Sequence, residues 1–238
     1  MMNLSQLTIK EIKERIKKID KVSSNLMKQL SSDERKGVQK IAQMIEKKRA
    51  KAREAKEKYE EMLFYEKKKN SEGYDLICGL DEAGRGPLAG PVVAGAVILG
   101  DDTYIPGLDD SKKLSEKKRE KLFDEIYQQA KAVGVGIIKQ ERIDKINILE
   151  ATYEAMQEAI TKLEIEPEYL LVDSETIPKV NIPQAGIEKG DSQSVSIAAA
   201  SIIAKVTRDR ILVEYDKEYP EYGFAQHKGY GTKSHRQA

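Results

Sequence analysis

Residues 77–99 read ICGLDEAGRGPLAGPVVAGAVIL. An apolar run suited to a strand ends in two consecutive carboxylates, Asp81 and Glu82, and then enters Gly84-Arg85-Gly86. Successive side chains on a strand point to opposite faces. Solvent can take one of the two acids, but the apolar run before them requires the other to sit at a buried or half-buried strand end. A charge there is expensive unless a cation or a hydrogen-bond donor satisfies it. The glycines suit a sharp turn or a close approach of backbone to another group. Either the acids are an uncompensated cost, or they form a metal site beside a loop that reads its ligand through main chain.

The rest of the chain supplies a frame for that strand. Strand-like runs occupy residues 74–80, 92–99, 131–139 and 169–173, and helices are predicted over 115–130, 146–163 and 194–219. The last contains SIAAASIIAKV, which is apolar enough to be deeply packed. Strands in succession, then alternating helix and strand, predict an α/β fold with a mixed sheet and helices on its faces. Residues 1–70 read as a separate helical extension, with the boundary at Asn70-Ser71-Glu72-Gly73 and a catalytic domain over 71–238. Thr8 and Glu11 have capping-box spacing, and Ile9, Ile12, Ile16 and Ile19 follow at helical intervals. Ser31-Ser32-Asp33-Glu34 repeats the pattern ahead of Val38, Ile41 and Ile45. Residues 47–58 are almost free of apolar side chains other than alanine and predict an exposed helix.

A net charge of +1 conceals a division. Residues 1–70 hold 20 Lys or Arg against 11 Asp or Glu, whereas residues 71–238 hold 21 against 29, so a segment of +9 precedes one of −8. A basic arm on an acidic body suits a polyanionic partner, and a well-solvated helical appendage gives the same composition. The single cysteine, Cys78, excludes an internal disulfide framework and suits a reducing compartment. Within an apolar run it reads as a small buried residue. No uninterrupted apolar run approaches the roughly 20 residues of a membrane helix, and the charged N-terminus does not read as a signal peptide. A cytoplasmic protein with no membrane contact is expected.

Two further acids follow or precede apolar segments: Asp173 in YLLVDSETIP and Asp191 in EKGDSQSVSIAAAS. Acids at the ends of neighbouring strands can converge although distant in sequence. Hard divalent cations such as Mg²⁺ and Mn²⁺ favour carboxylate and water oxygens. With only His227, His235 and one cysteine, the chain argues against a zinc site of the nitrogen and sulfur type. Taken singly, each acid is weak evidence, because an Asp after a strand is more often a turn former or helix cap. A phosphate-binding GxxxxGK[ST] loop is absent, and GRGPLAG does not match the dinucleotide fingerprint.

In order along the chain, GLDEAGRGPLAGPVVAGAVIL, DDSKKLS, LLVD, KGDSQSVSIAAASIIAKVTRDR and YPEYGFAQHKGYGTKSH resemble bacterial ribonuclease HII, the type 2 ribonuclease H. The resemblance implies a ribonuclease H-like fold, a five-stranded mixed sheet flanked by helices, with the N-terminal helical extension outside it. It implies a metal-dependent endonuclease that hydrolyses RNA in RNA–DNA hybrids and incises at single ribonucleotides in duplex DNA, leaving 3′-hydroxyl and 5′-phosphate ends. The family's catalytic, metal-binding acids fall on Asp81, Glu82, Asp173 and Asp191, implying two divalent cations, Mn²⁺ or Mg²⁺. Its substrate-binding Gly-Arg-Gly falls on Gly84, Arg85 and Gly86, and its junction-sensing tyrosine on Tyr230. Lys112 and Lys113 are expected either to meet phosphates or to begin a solvated helix. The expected partners are RNA–DNA hybrid and DNA containing ribonucleotides, met by a monomer.

Asp209 also matches the family, although pairing with Lys205 or Arg210 would account for it. His227 and His235 read as packing or phosphate-contacting residues, not metal ligands. Members usually run on past the position of Ala238 with a further helix and a basic tail, so the C-terminal end reads as shortened. Two rivals stand beside this reading. Ribonuclease HIII is disfavoured by the Asp-Glu-Ala-Gly-Arg-Gly context and by an arm with no strand pattern. A non-catalytic hybrid-binding module is disfavoured by the four acids, whose charge opposes phosphate.

Overall fold

The computed structural model describes residues 4–19 and 22–238. The chain divides into two compact units, Met1–Lys58 and Tyr59–Ala238. In the first, α1 (Ile9–Lys17) opens with a reciprocal capping box: Thr8 accepts from the Glu11 N–H, and the Glu11 carboxylate accepts from the Thr8 N–H. Ile12, Leu30 and Val38 are fully buried and gather α1, α2 (Ser24–Ser31) and the start of α3 (Lys36–Met62) around one small core. The second capping box expected at Ser31–Glu34 does not form. Ser31 is the last residue of α2, and Asp33 is instead taken by Arg35, which forks onto it while also donating to the Leu4 and Leu7 carbonyls.

The second unit begins inside α3 and continues through α4 (Phe64–Ser71) into the sheet. Its strands are β1 (Ile77–Ala83), β2 (Val92–Ile98), β3 (Ala132–Ile138), β4 (Tyr169–Asp173) and β5 (Gln184–Ile187). They lie in the order β3-β2-β1-β4-β5, with β2 antiparallel to β1 and β3, and β4 parallel to β1 and β5. The helices are α5 (Glu116–Gln129), α6 (Gln140–Ile146), α7 (Ile148–Thr161), α8 (Val195–Glu218) and the short α9 (Phe224–His227). The helix expected over 146–163 is therefore two. Asn147, at φ +75°, ends α6 and caps α7 by accepting from the Leu149 and Glu150 N–H groups. β5 is not anticipated from sequence, because the four residues Gln184–Ile187 carry no alternating pattern.

Burial assigns the two sheet faces. Cys78, Leu80, Ala94, Ala96, Leu170 and Val172 pack with α7, whereas Val97 packs with α8 and α5. Gly79 lies on the α8 side, where an added Cβ would come within 2.1 Å of the Ser196 carbonyl carbon. No side chain fits there, so the first turn of α8 rests directly on β1. Gly136 serves α7 in the same way, since its Cβ would meet the Ala155 oxygen at 1.9 Å. By strand alternation Asp81 shares the α8 face with Gly79, and Glu82 points to the other.

The sequence boundary near residue 70 and the structural division at 58/59 differ for a packing reason. Tyr59 and Met62, each 3% exposed, belong to the core cluster with Val97, Ile105, Ile202 and Ile203. The Tyr59 hydroxyl also donates to the Thr103 carbonyl. Deletion of residues 1–58 is expected to leave a cooperatively folding protein. Deletion of 1–70 should lower its melting temperature further, on the order of 10 °C or more, given ~2–5 kcal/mol per large core side chain lost. Equal melting temperatures for the two truncations, read by calorimetry, would contradict this division.

Candidate active site

The register of β1 on β4 brings the acids together. Leu80 pairs with Val172 at the end of the parallel ladder, so the next residues along, Asp81 in β1 and Asp173 at the end of β4, lie on neighbouring strands side by side. Leu171 packs on the Ile197 side of the sheet, and alternation puts Asp173 on that face with Asp81. A single turn of 3-10 helix, Gly190–Ser192, delivers Asp191 just ahead of α8. The Gly190 N–H donates to Asp173 Oδ1 at 2.7 Å, tying the turn to the end of β4. Asp81 is 6% exposed and Asp191 9%.

These groups share a field. Burial, reinforced by the charges of Glu82 and Asp173, holds the Asp81 carboxyl well above the usual carboxylate range, while the Ser201 hydroxyl and Glu82 N–H work the other way. Burial also raises Glu82; Arg85 opposes that rise and the Asp173 charge adds to it. Asp191 is pushed up to about 6 by burial and by the charges of Asp110 and Asp173, against the pull of Lys112. The carboxylates interact without forming a finished ligand shell: among the described residues, no three His, Cys, Asp or Glu side chains are grouped closely enough to hold an ion. Protein donors occupy part of the set, with Asp81 Oδ1 taking the Glu82 N–H at 2.7 Å and Glu82 Oε1 taking Arg85 at 3.4 Å.

The remaining predicted residues fall in distinct places. Burial disfavours the charge on Lys112, yet Asp81, Asp110 and Asp191 outweigh it and raise the amine. Lys112 thus faces the acids, while Lys113 pairs with Asp109 and Asp110 at 3.8 Å and is more than half exposed. Gly84 has φ +119°, and a Cβ there would meet the Pro91 oxygen at 2.5 Å and Arg208 Nε at 2.7 Å. Its glycine is demanded by the protein's own packing. Gly86 is different: a Cβ would find only the edge of the Tyr230 ring, at 3.8 Å. Tyr230 is 44% exposed, and Lys205 lies 5.8 Å from its ring centre.

Two participants escaped the sequence reading. Asp110, which accepts the Lys112 N–H at 2.9 Å, joins the acid cluster through Asp191; the DDSKKLS motif drew attention to its lysines instead. Arg208 is 1% exposed and donates to the carbonyls of Pro91, Ala89 and Lys228. It ties the glycine loop to the segment bearing Tyr230, assisted by the Leu88 N–H on the Gly229 carbonyl. An arginine in a charged helical run, VTRDR, reads as a surface residue. Its neighbour Asp209 takes Lys205 at 2.6 Å and Arg119 at 3.8 Å, while Arg210 turns to Glu120. His227 is engaged on both nitrogens, by the Tyr222 carbonyl and the Gly229 N–H, and stacks on His235 at 4.3 Å. Both histidines are packing residues in this arrangement.

The raised carboxyl of Asp191 makes stability depend on pH. The folded chain binds this proton more tightly than the unfolded one, whose carboxyl keeps its ordinary value of 3.8. The stabilisation is complete below about 4 and is lost as pH rises through about 6. With divalent cations chelated, Asp191→Asn should melt several degrees above the parent at pH 7.5, and the gap should close toward pH 4. A pH-independent difference between the two melting curves would contradict this.

Residues 78–238 match the ribonuclease HII family, and residues 8–70 match the family described as the ribonuclease HII N-terminal domain. The chain is 52% identical over 235 residues to a ribonuclease HII of Bacillus cereus, covering 99% of this chain and 91% of that protein. It is similar in structure to ribonuclease H2 from Pyrococcus horikoshii OT3, with TM-score 0.58 and 30% identity over 68% of this chain and 83% of that one. The PCNA:RNase HII complex from Archaeoglobus fulgidus gives TM-score 0.57 and 31% identity over 68% and 85%. With the five-stranded mixed sheet and the acids at its strand ends, these matches make the chain a member of the ribonuclease HII family and a ribonuclease H.

Proposed function

We propose that this ribonuclease H is a two-metal endonuclease that cuts RNA in RNA–DNA hybrids and incises at single ribonucleotides in duplex DNA, leaving 3′-hydroxyl and 5′-phosphate ends. The observation that carries the reading is the gathering of Asp81, Glu82, Asp173 and Asp191, in which the Asp173 charge raises the other three carboxyls and Glu82 adds to the rise of Asp81. An all-oxygen donor set short of positive charge fits hard divalent ions such as Mg²⁺ or Mn²⁺. These four acids would hold two of them, their side chains closing from the spread arrangement described above. When bound, such ions activate a water and offset charge on the departing 3′-oxygen.

The protein's own groups supply position and selectivity. At Gly86, where a Cβ would meet only the edge of the Tyr230 ring at 3.8 Å, main chain can approach a ribose 2′-hydroxyl, the group that separates RNA from DNA. Arg85 and Lys112 meet phosphate oxygens, which fix register without reading sequence. The half-exposed Tyr230 ring, set across from Gly86, packs on the sugar of the deoxynucleotide that follows the ribonucleotide. Residues 1–58 hold 17 Lys or Arg against 8 Asp or Glu, a net +9, and add salt-sensitive phosphate contacts. The enzyme works as a monomer in the cytoplasm.

Two substrates test this reading, a long hybrid and a duplex with one ribonucleotide, each incubated with Mg²⁺ or Mn²⁺. Asp81→Asn is expected to cut neither while still binding hybrid, because the amide keeps the shape of a ligand but not its charge. Full activity in that variant would remove Asp81 from the site. Tyr230→Ala should lose on the order of tenfold more activity at the lone ribonucleotide than on the long hybrid, the scale of one lost stacking contact. Equal losses on both substrates would assign Tyr230 to general structure.

A further inference from the structure

Glu66 lies on α4, in the run MLFYEKKKNSEGYD, where the adjacent Lys67 and Lys68 are exposed. Glu66 is not: it is 9% exposed. Its Oε1 accepts from Ser194 Oγ at 2.5 Å, Ser196 Oγ at 2.7 Å and the Ser196 N–H at 3.0 Å. Its Oε2, also shielded from solvent, has no hydrogen-bond partner among the described residues. Burial raises the carboxyl despite those three donors. A neutral acid is the form that suits one oxygen triply engaged and the other bare, since an unpartnered buried charge costs far more.

The three donors are the first turn of α8. Ser194 is its cap, accepting from the Ile197 N–H at 3.2 Å, and the Ser196 N–H is one of the donors that a helix start leaves without an internal acceptor. Hydrogen bonds continue from there into the acid cluster. The Ser194 N–H donates to the Gly190 carbonyl at 2.9 Å, and the Gly190 N–H donates to Asp173 Oδ1 at 2.7 Å. Asp191 is the next residue in the chain. The turn has little slack, because a Cβ at Gly190 would come within 2.6 Å of Ile197 and 3.5 Å of Asp173.

We propose that Glu66 is a positioning residue for the metal site: by clamping the first turn of α8 it fixes, through Ser194 and Gly190, the turn that carries Asp191 and holds Asp173. This rests on the metal-site reading above and extends it to a residue that precedes the sheet. Second contacts of this kind typically govern metal affinity or activity by ~10–100-fold.

The test is direct Mn²⁺ binding to the full-length protein without nucleic acid, followed by the loss of the free-ion electron paramagnetic resonance signal. Glu66→Leu should weaken Mn²⁺ binding by about tenfold or more. Glu66→Gln, which keeps an acceptor of the same shape, should restore most of the affinity. Leu63→Ala serves as the structural control. Leu63 and Glu66 border the same 200 Å³ cavity, so this variant costs packing without touching the clamp and should bind Mn²⁺ like the parent. If Glu66→Leu does not fold, Ser194→Ala carries the test, with Mn²⁺ binding weakened in the same direction. Parent-like affinity in Glu66→Leu, or in Ser194→Ala where that variant stands in, would overturn the proposal. So would equal weakening in Leu63→Ala, which would reduce Glu66 to a stability residue. Parent and Asp191→Asn proteins that bind Mn²⁺ equally would instead overturn the metal-site reading itself, and this inference with it.

Discussion

Two neighbouring parallel strands that carry acids on one face, just past the end of their shared ladder, set the conditions for everything around them. Adjacent strands lie about 4.8 Å apart, and at an effective dielectric near 20 two like charges at that distance oppose each other by roughly 3 kcal/mol. That is a large part of the ~5–15 kcal/mol by which a domain is stable. The register of β1 on β4 nevertheless places Asp81 and Asp173 there, with Glu82 and Asp191 adding to the same field. The surroundings relieve the opposition only in part, through the Ser201 hydroxyl, the Gly190 N–H and the Lys112 amine. Such an arrangement is poor as a stabilising device and well suited to binding positive charge.

The scaffold around the acids is stiff where they attach and open where a duplex would lie. Gly79 lets the start of α8 rest on β1 two residues before Asp81, and Glu66 holds that start from the other side. Farther along the same helix, buried Arg208 gathers three carbonyls from two loops and so brings the Gly84–Gly86 loop and Tyr230 to face each other. One helix thus serves both parts of the site. Its first turn adjoins the acid cluster, and its middle joins the groups proposed to read the ribose and the junction. A Cβ added at Gly86 would meet only the ring edge of Tyr230, at 3.8 Å.

What could be read in the sequence was whatever depends on neighbours in sequence. The Thr8 capping box, the buried character of α8 and the strand ending in Asp81-Glu82 are local patterns, and the structure contains each of them. The convergence of the acids was suggested by their positions after apolar runs, but the family motifs were needed to choose them from among turn formers. Residues whose role lies in distant partners were not legible. Glu66 and Arg208 each sit in a run of charges, and only the fold shows that both are buried and bonded to segments more than a hundred residues away or across a loop. The two adjacent lysines were equivalent in sequence, and a 3-10 turn at Ser111–Lys113 separates them into one that faces the acids and one that pairs outward. The boundary expected at residue 70 followed a change in composition and coincides with the end of the match to the N-terminal domain family, whereas the division into compact units at 58/59 follows the packing of Tyr59 and Met62.

In the proposed function the opposed carboxylates hold divalent cations. Crystals of the enzyme grown with Mn²⁺ and a ribonucleotide-containing duplex, with data collected at the manganese absorption edge, address it most directly. Anomalous peaks bounded by Asp81, Glu82, Asp173 and Asp191 are the predicted result. Manganese found elsewhere, with the four side chains still spread and the duplex bound, would contradict the account.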